Sequence, residues 1–162
     1  IYQCDWSSDV CSSDLAPDAT TSDAPPPAVA ETLAAAADVP TFSLHSRPGA
    51  ARSIYLDFDG GSLLATNSWL LNGLNSLLFG GWSLDALTLL FSDSEQAVIR
   101  EVWARVAEDF APWDVDVTTQ EPLYGGLFRV SSNDPTYGAR VAFTNDGSVQ
   151  TQLCGGGCGG IA

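Results

Sequence analysis

Two aspartates stand two apart in Ser53-Ile54-Tyr55-Leu56-Asp57-Phe58-Asp59-Gly60-Gly61. Carboxylates at that spacing, at the mouth of an apolar run and followed by glycine, could divide a reaction between them. One would serve as nucleophile and the other as general acid or base, and both could help to hold a divalent cation. The same pair also suits a plainer role, as the polar end of a strand that faces solvent or caps the next loop. Cys154 and Cys158 make a second candidate. They could clip a zinc ion, but a four-ligand site needs two more ligands, and the chain has a single histidine, His45. In an exported protein the two cysteines would instead form a short disulfide across a glycine-rich loop. His45 has no partner cluster in the sequence and reads as a surface residue.

The elements that must position these residues follow from periodicity. Ile54, Leu56 and Phe58 alternate with Tyr55, Asp57 and Asp59, which predicts a strand ending at Gly60-Gly61. Residues 62–91 are apolar but broken by Asn-Gly and Gly-Gly, and read as a long connection with short extended or helical pieces. Ser92 followed by Glu95 is a capping box, and Ile99, Val102, Trp103, Val106 and Phe110 recur at helical spacing until Pro112 ends the run. Trp113 to Thr119 then alternates again with β-branched residues. Strand, helix and strand in this order predict two parallel strands joined by a right-handed crossover. Arg140-Val141-Ala142-Phe143-Thr144 predicts a further strand. Trp103, Phe110 and Trp113 are expected in the core, and Arg100, Glu101, Arg105, Glu108 and Asp109 on a solvated helix face.

The composition narrows the function. Asp and Glu number 20 against 6 Lys and Arg, a formal charge of −14, so phosphate backbones and anionic lipid would be repelled. Neither nucleic-acid binding nor peripheral membrane binding is expected, and no run approaches the ~18 apolar residues of a membrane span. Acidity without a single lysine suits a secreted protein, and a monomer is expected. Residues 1–15 contain Ser-Ser-Asp twice and no structural period, and they resemble a translated sequencing-adapter read. Residues 16–41, rich in Ala, Pro, Asp and Thr, read as a disordered linker or pro-region remnant, with a marginal helix within 29–37. The globular part is expected to occupy residues 42–162. With no methionine anywhere, Ile1 does not look like a natural start, and the apolar run at Ile161-Ala162 gives the chain the character of a piece of a longer one.

Two families share features with this sequence. The strand ending in Asp57-Phe58-Asp59-Gly60 resembles the nucleophile loop of haloacid dehalogenase-type phosphohydrolases, although that family has threonine where Gly61 stands and strong acidity disfavours a phosphate substrate. The second resemblance spans residues 42–162. It rests on the ordered blocks Leu44-His45-Ser46-Arg47-Pro48-Gly49, Ile54-Tyr55-Leu56-Asp57-Phe58-Asp59-Gly60, Phe91-Ser92-Asp93-Ser94-Glu95-Gln96 and, most specifically, Ala111-Pro112-Trp113-Asp114-Val115-Asp116-Val117-Thr118-Thr119. These resemble the first half of the catalytic domain of secreted bacterial zinc metallopeptidases of the metzincin type, the gametolysin and reprolysin-like groups.

That resemblance implies an α/β architecture of the α+β zincin-like kind: a mixed, mostly parallel sheet with a long backing helix, incomplete at the C-terminus. It implies an edge strand beginning at Gly159-Gly160-Ile161-Ala162 that pairs with an extended peptide or protein substrate. It also implies zinc as the cofactor of the parent protein, held by a His-Glu-x-x-His helix that this sequence does not contain. On this reading no catalytic residue or zinc ligand falls within the chain, and the chain alone is expected to be inactive. The leucine-rich stretch 62–90 departs from the family's polar, aspartate-bearing loop.

Overall fold

The computed structural model describes residues 24–64, 76–85, 90–123, 125–147, 151 and 155. Five strands and two α-helices follow one another among them. They are α1 (Pro27–Ala35), β1 (Arg52–Asp57), β2 (Gly60–Leu64), β3 (Ser76–Gly80), α2 (Asp93–Phe110), β4 (Val115–Thr118) and β5 (Tyr137–Ala142). A short 3-10 turn at Thr41–Ser43 precedes β1.

The central sheet has the order β4-β1-β5, and both outer strands run parallel to β1. Arg52 stands opposite Val115 on one side and Tyr137 on the other, so the three strands start level; β5 accompanies β1 as far as Asp57, whereas β4 ends opposite Tyr55. The two predicted parallel strands are present, with α2 lying between the sheet's middle strand and its β4 edge in the chain. The alternation in β1 sorts its side chains onto two faces. Ile54, Leu56 and Phe58 pack into the core with Val117 and with Ile99, Trp103, Ala104 and Ala107 of α2. Tyr55 and Asp57 point to the opposite face, where Arg140 of β5 meets them.

Helix α2 starts and stops for the reasons its sequence predicts. Glu95 N–H donates to the Ser92 hydroxyl, the Glu95 carboxylate reaches back to the Ser92 N–H at 2.8 Å, and the helix ends before Pro112. Trp103 lies buried, and its indole N–H donates to the Val117 carbonyl at 2.9 Å, which ties the helix to β4.

Four expectations need correction. Part of the supposed linker is folded: α1 lies against α2, Val29 and Ala36 are buried, and the Arg100 guanidinium donates to the carbonyls of Ala36 and Val39. Arg100 is therefore turned inward to α1 and the Thr41 hydroxyl, while Arg105 and Glu101 lie on the expected exposed face, where they pair at 2.6 Å. Trp113 is largely exposed, touching Phe110 at 5.7 Å between ring centres, because the turn after α2 carries it off the core. Finally, the strand that was to end at Gly60-Gly61 ends at Asp57, and Gly60 already opens the antiparallel hairpin β2–β3.

Gly60 is what the tight strand-to-hairpin passage requires. Its φ is +80°, and a Cβ there would meet Gly81 N at 2.5 Å and Phe79 O at 2.8 Å. Beside it, Trp82 N–H donates to Phe58 O at 2.8 Å, and the Phe58 ring stacks on Phe143 at 4.2 Å.

Candidate functional site

Asp57 and Asp59 differ sharply in surroundings. Asp57 has no solvent exposure, whereas Asp59 is exposed in the bend before β2. Asp57 Oδ1 accepts the Gly60 N–H at 3.2 Å, and Oδ2 accepts Arg140 Nε at 2.6 Å and also contacts a terminal guanidinium nitrogen. Burial pushes the Asp57 carboxyl up to about 6, and its hydrogen bond with Asp59 adds to the rise. The Arg140 charge and hydrogen bond pull the other way. Tyr55, on the same face, is pushed well above the usual phenol range by burial and by the two aspartate charges.

Arg140 does more than neutralise Asp57. Its guanidinium sits 5.6 Å from the centres of both the Tyr55 and Phe79 rings, and it donates to the Ser62 carbonyl at 3.2 Å. It therefore joins β5, the end of β1 and the β2–β3 hairpin. An attacking carboxylate needs an uncommitted, accessible oxygen, and Asp57 has both oxygens engaged away from solvent. The geometry makes Asp57 the anchor of the hairpin.

A second polar cluster, invisible in the sequence beyond its capping box, surrounds the buried Glu95. Leu84 N–H donates to Oε1 at 2.7 Å, the Ser92 N–H and hydroxyl reach Oε2 at 2.8 Å, and the Ser83 hydroxyl lies 2.9 Å from Oε1. The Leu84 N–H, then the Ser92 groups, pull this carboxyl down to about 2. Asn145, just past β5, closes the cluster by pairing its amide with the backbone N–H and carbonyl of Ser83. No buried side-chain polar atom among the described residues lacks a partner, and the cluster joins the end of the hairpin, the start of α2 and the segment after β5.

His45 is not the loose surface residue that its sequence context predicts. Its Nδ1 is 2.6 Å from Asp116 Oδ2 and its Nε2 is 2.7 Å from Gln120 Oε1. Burial opposes its charged form, but the hydrogen bonds to Gln120 and Asp116 and the Asp116 charge outweigh this and raise its pKa above 6.5. His45 also borders a cleft of about 450 Å³ between α1 and the end of α2, lined among others by Glu31, Leu44, Arg47, Trp103 and Glu108. That cleft lies where α2 turns into β4, at the opposite end of the sheet from Asp57.

At the amino ends of β1 and β5, Arg52 Nε donates to the Tyr137 hydroxyl at 3.2 Å and Arg129 lies 5.0 Å from the same ring centre. Asp134 folds this turn by accepting the backbone N–H groups of Val130 and Thr136.

Cys154, Cys158 and the expected edge strand Gly159-Gly160-Ile161-Ala162 lie outside the described residues. Among the described residues, no group of three or more His, Cys, Asp or Glu side chains is placed to hold a metal ion, and no helix is long and apolar enough to cross a membrane. The chain is mixed α/β, with a three-stranded parallel sheet backed by a helix. It matches no family model, no curated protein and no solved structure.

Proposed function

We propose that residues 42–162 are scaffold from the first half of the catalytic domain of an exported zinc endopeptidase, one that hydrolyses extended peptides with metal-activated water. The observation that carries this reading is the unit formed by β1, α2 and β4. The capped helix runs through Ala111-Pro112-Trp113-Asp114 directly into a strand parallel to β1, and that stretch is the most specific block of the resemblance. The placement of β5 on the other side of β1 adds support, since a mostly parallel sheet with one long backing helix is what the resemblance implies.

The described residues do not suit zinc, as no suitable donor group is assembled among them, so no catalytic step is assigned to this chain. Its contribution is the sheet and helix on which a substrate strand and a metal-bearing helix would be mounted. Residues 27–39 belong to the same scaffold, because Val29 and Ala36 are buried in the same core cluster as α2 and the sheet.

The test is to assay the purified 162-residue chain for casein cleavage and zinc binding, and to assay phosphatase activity with magnesium in parallel. The expected result is no activity in either assay and no tight zinc binding. Chelator-sensitive proteolysis by this chain would overturn the scaffold assignment. Phosphatase activity lost in Asp57→Asn would instead select a phosphohydrolase built on Asp57 and Asp59. If the peptidase sequence is absent from the longer reading frame, a non-catalytic extracellular binding module becomes the better account.

A further inference from the structure

Residues 44–47 lie antiparallel along the outer edge of β4, His45 opposite Thr118. The contact is only partly a backbone ladder. Ser46 N–H donates to Val117 O at 3.0 Å and Thr119 N–H to Leu44 O at 3.1 Å. The return bonds go to side chains: Val117 N–H donates to the Ser46 hydroxyl oxygen at 2.8 Å, and Leu44 N–H to Thr119 Oγ1 at 3.0 Å. Without this segment, β4 would present open backbone groups to solvent, the usual starting point for unwanted strand pairing.

One ionisable side chain clamps the segment. Both ring nitrogens of His45 face oxygen acceptors, and two such contacts are satisfied together only when both nitrogens carry hydrogen. Asp116 is nearly buried, with 9% of its side chain exposed, and among the described residues it accepts from His45 Nδ1–H and from the Arg47 N–H at 2.9 Å. The Arg47 guanidinium is spent elsewhere, on the Ala111 carbonyl at 3.1 Å and, at 3.7 Å, on Asp114. Glu31 of α1 and Glu108 of α2 are the carboxylates that line the neighbouring cleft. Gln120 can turn its amide to suit a neutral ring, so the decisive change on deprotonation is the loss of positive charge opposite Asp116. A nearly buried carboxylate left without a counter-charge is costly.

We propose that residues 44–47 form a proton-dependent strap, closed over the edge of β4 while His45 is an imidazolium and released when that ring loses a proton. The direction follows from the partners: acceptors on both nitrogens favour the charged ring, so the strap is firm at low pH and loosens as pH rises through the histidine's titration.

The test uses the full chain, whose single histidine gives one unambiguous imidazole signal by NMR. The His45 ring resonances and amide-exchange protection at Ser46 and Thr119 are followed from about pH 5 to about pH 9, with Trp103 and Ala104 in α2 as internal controls. The expected result is a loss of protection at Ser46 and Thr119 that tracks the imidazole titration while the α2 amides keep theirs. In Gln120→Glu, a second carboxylate on the ring should move both curves to higher pH, and in His45→Gln the step should vanish. Unchanged protection at Ser46 and Thr119 across the His45 titration would overturn the proposal. So would equal losses in α2, or a Gln120→Glu curve that does not move. Should His45→Gln fail to fold, the wild-type and Gln120→Glu titrations decide alone.

Discussion

Arg140 of β5 donates through Nε to Asp57 Oδ2 at 2.6 Å, and Asp57, the last residue of β1, has no solvent exposure. This pair locks the hairpin to the sheet, since Asp57 also accepts the Gly60 N–H and Arg140 donates to Ser62 O. Removing Arg140 alone leaves a buried carboxylate with one weak donor. Arg140→Met should therefore cost about 3–5 kcal/mol at neutral pH, and the double variant with Asp57→Asn should recover part of that loss. Urea unfolding of the four proteins measures the coupling.

The same pair sets a pH dependence. Asp57 is raised to about 6 from 3.8, chiefly by burial, so the folded state prefers its protonated form. The stability this lends is complete below the unfolded value and is lost as pH rises through about 6. Asp57→Asn removes that loss, so its penalty relative to wild type should shrink between about pH 4 and about pH 7. A penalty that grows over this interval would show the Arg140 attraction to outweigh burial.

Glu95 behaves in the opposite sense. Its carboxyl is pulled down to about 2, first by the Leu84 N–H and then by the Ser92 groups. Its contribution is therefore present above its ordinary value near 4.5 and disappears as pH falls through about 2. Ser92→Ala, which removes the cap, should cost about 1 kcal/mol. Glu95→Gln should destabilise more than Glu101→Gln on the exposed face, and thermal melts of both variants at neutral pH check the ranking.

Two packing predictions follow from single contacts. Trp103→Phe deletes the indole N–H that meets Val117 O, and should cost about 1 kcal/mol beyond the change in volume. Gly60→Ala asks an L-residue to hold φ +80° with its Cβ against the Gly80-Gly81 backbone, and should cost about 1–3 kcal/mol. Both are read from denaturant midpoints.

The elements legible in the sequence were those whose signal is local. The Ser92–Glu95 cap, the Ile99, Val102, Trp103, Val106 spacing and Pro112 define α2, and period-two alternation defines β1 and β4. The β2–β3 pairing is not legible within 60–80 because eleven residues separate the two strands, so Asn72-Gly73 does not join them as a two-residue turn would, and glycines that read as breakers serve a close backbone crossing. The packing of α1 rests on tertiary contacts, among them Arg100, a residue 64 positions from the Ala36 carbonyl to which it donates, and the buried Val29. The roles of Arg140 and His45 are likewise tertiary: their partners lie 83 and 71 residues away, and neither position has a distinctive neighbour in sequence. Asp57 was legible as a strand end but not as a buried ion pair, because one-dimensional alternation assigns it a face without saying what covers that face.

The most direct measurement of the central claim compares this chain with the protein encoded by the reading frame continued past the Ala162 codon, in zinc binding and in casein cleavage with and without a chelator. The account predicts a His-Glu-x-x-His sequence within about 60 further residues, chelator-sensitive cleavage by the extended protein, and none by the 162-residue chain. A continuation without that sequence, or an extended protein that contains it yet neither binds zinc nor cuts casein, would contradict it.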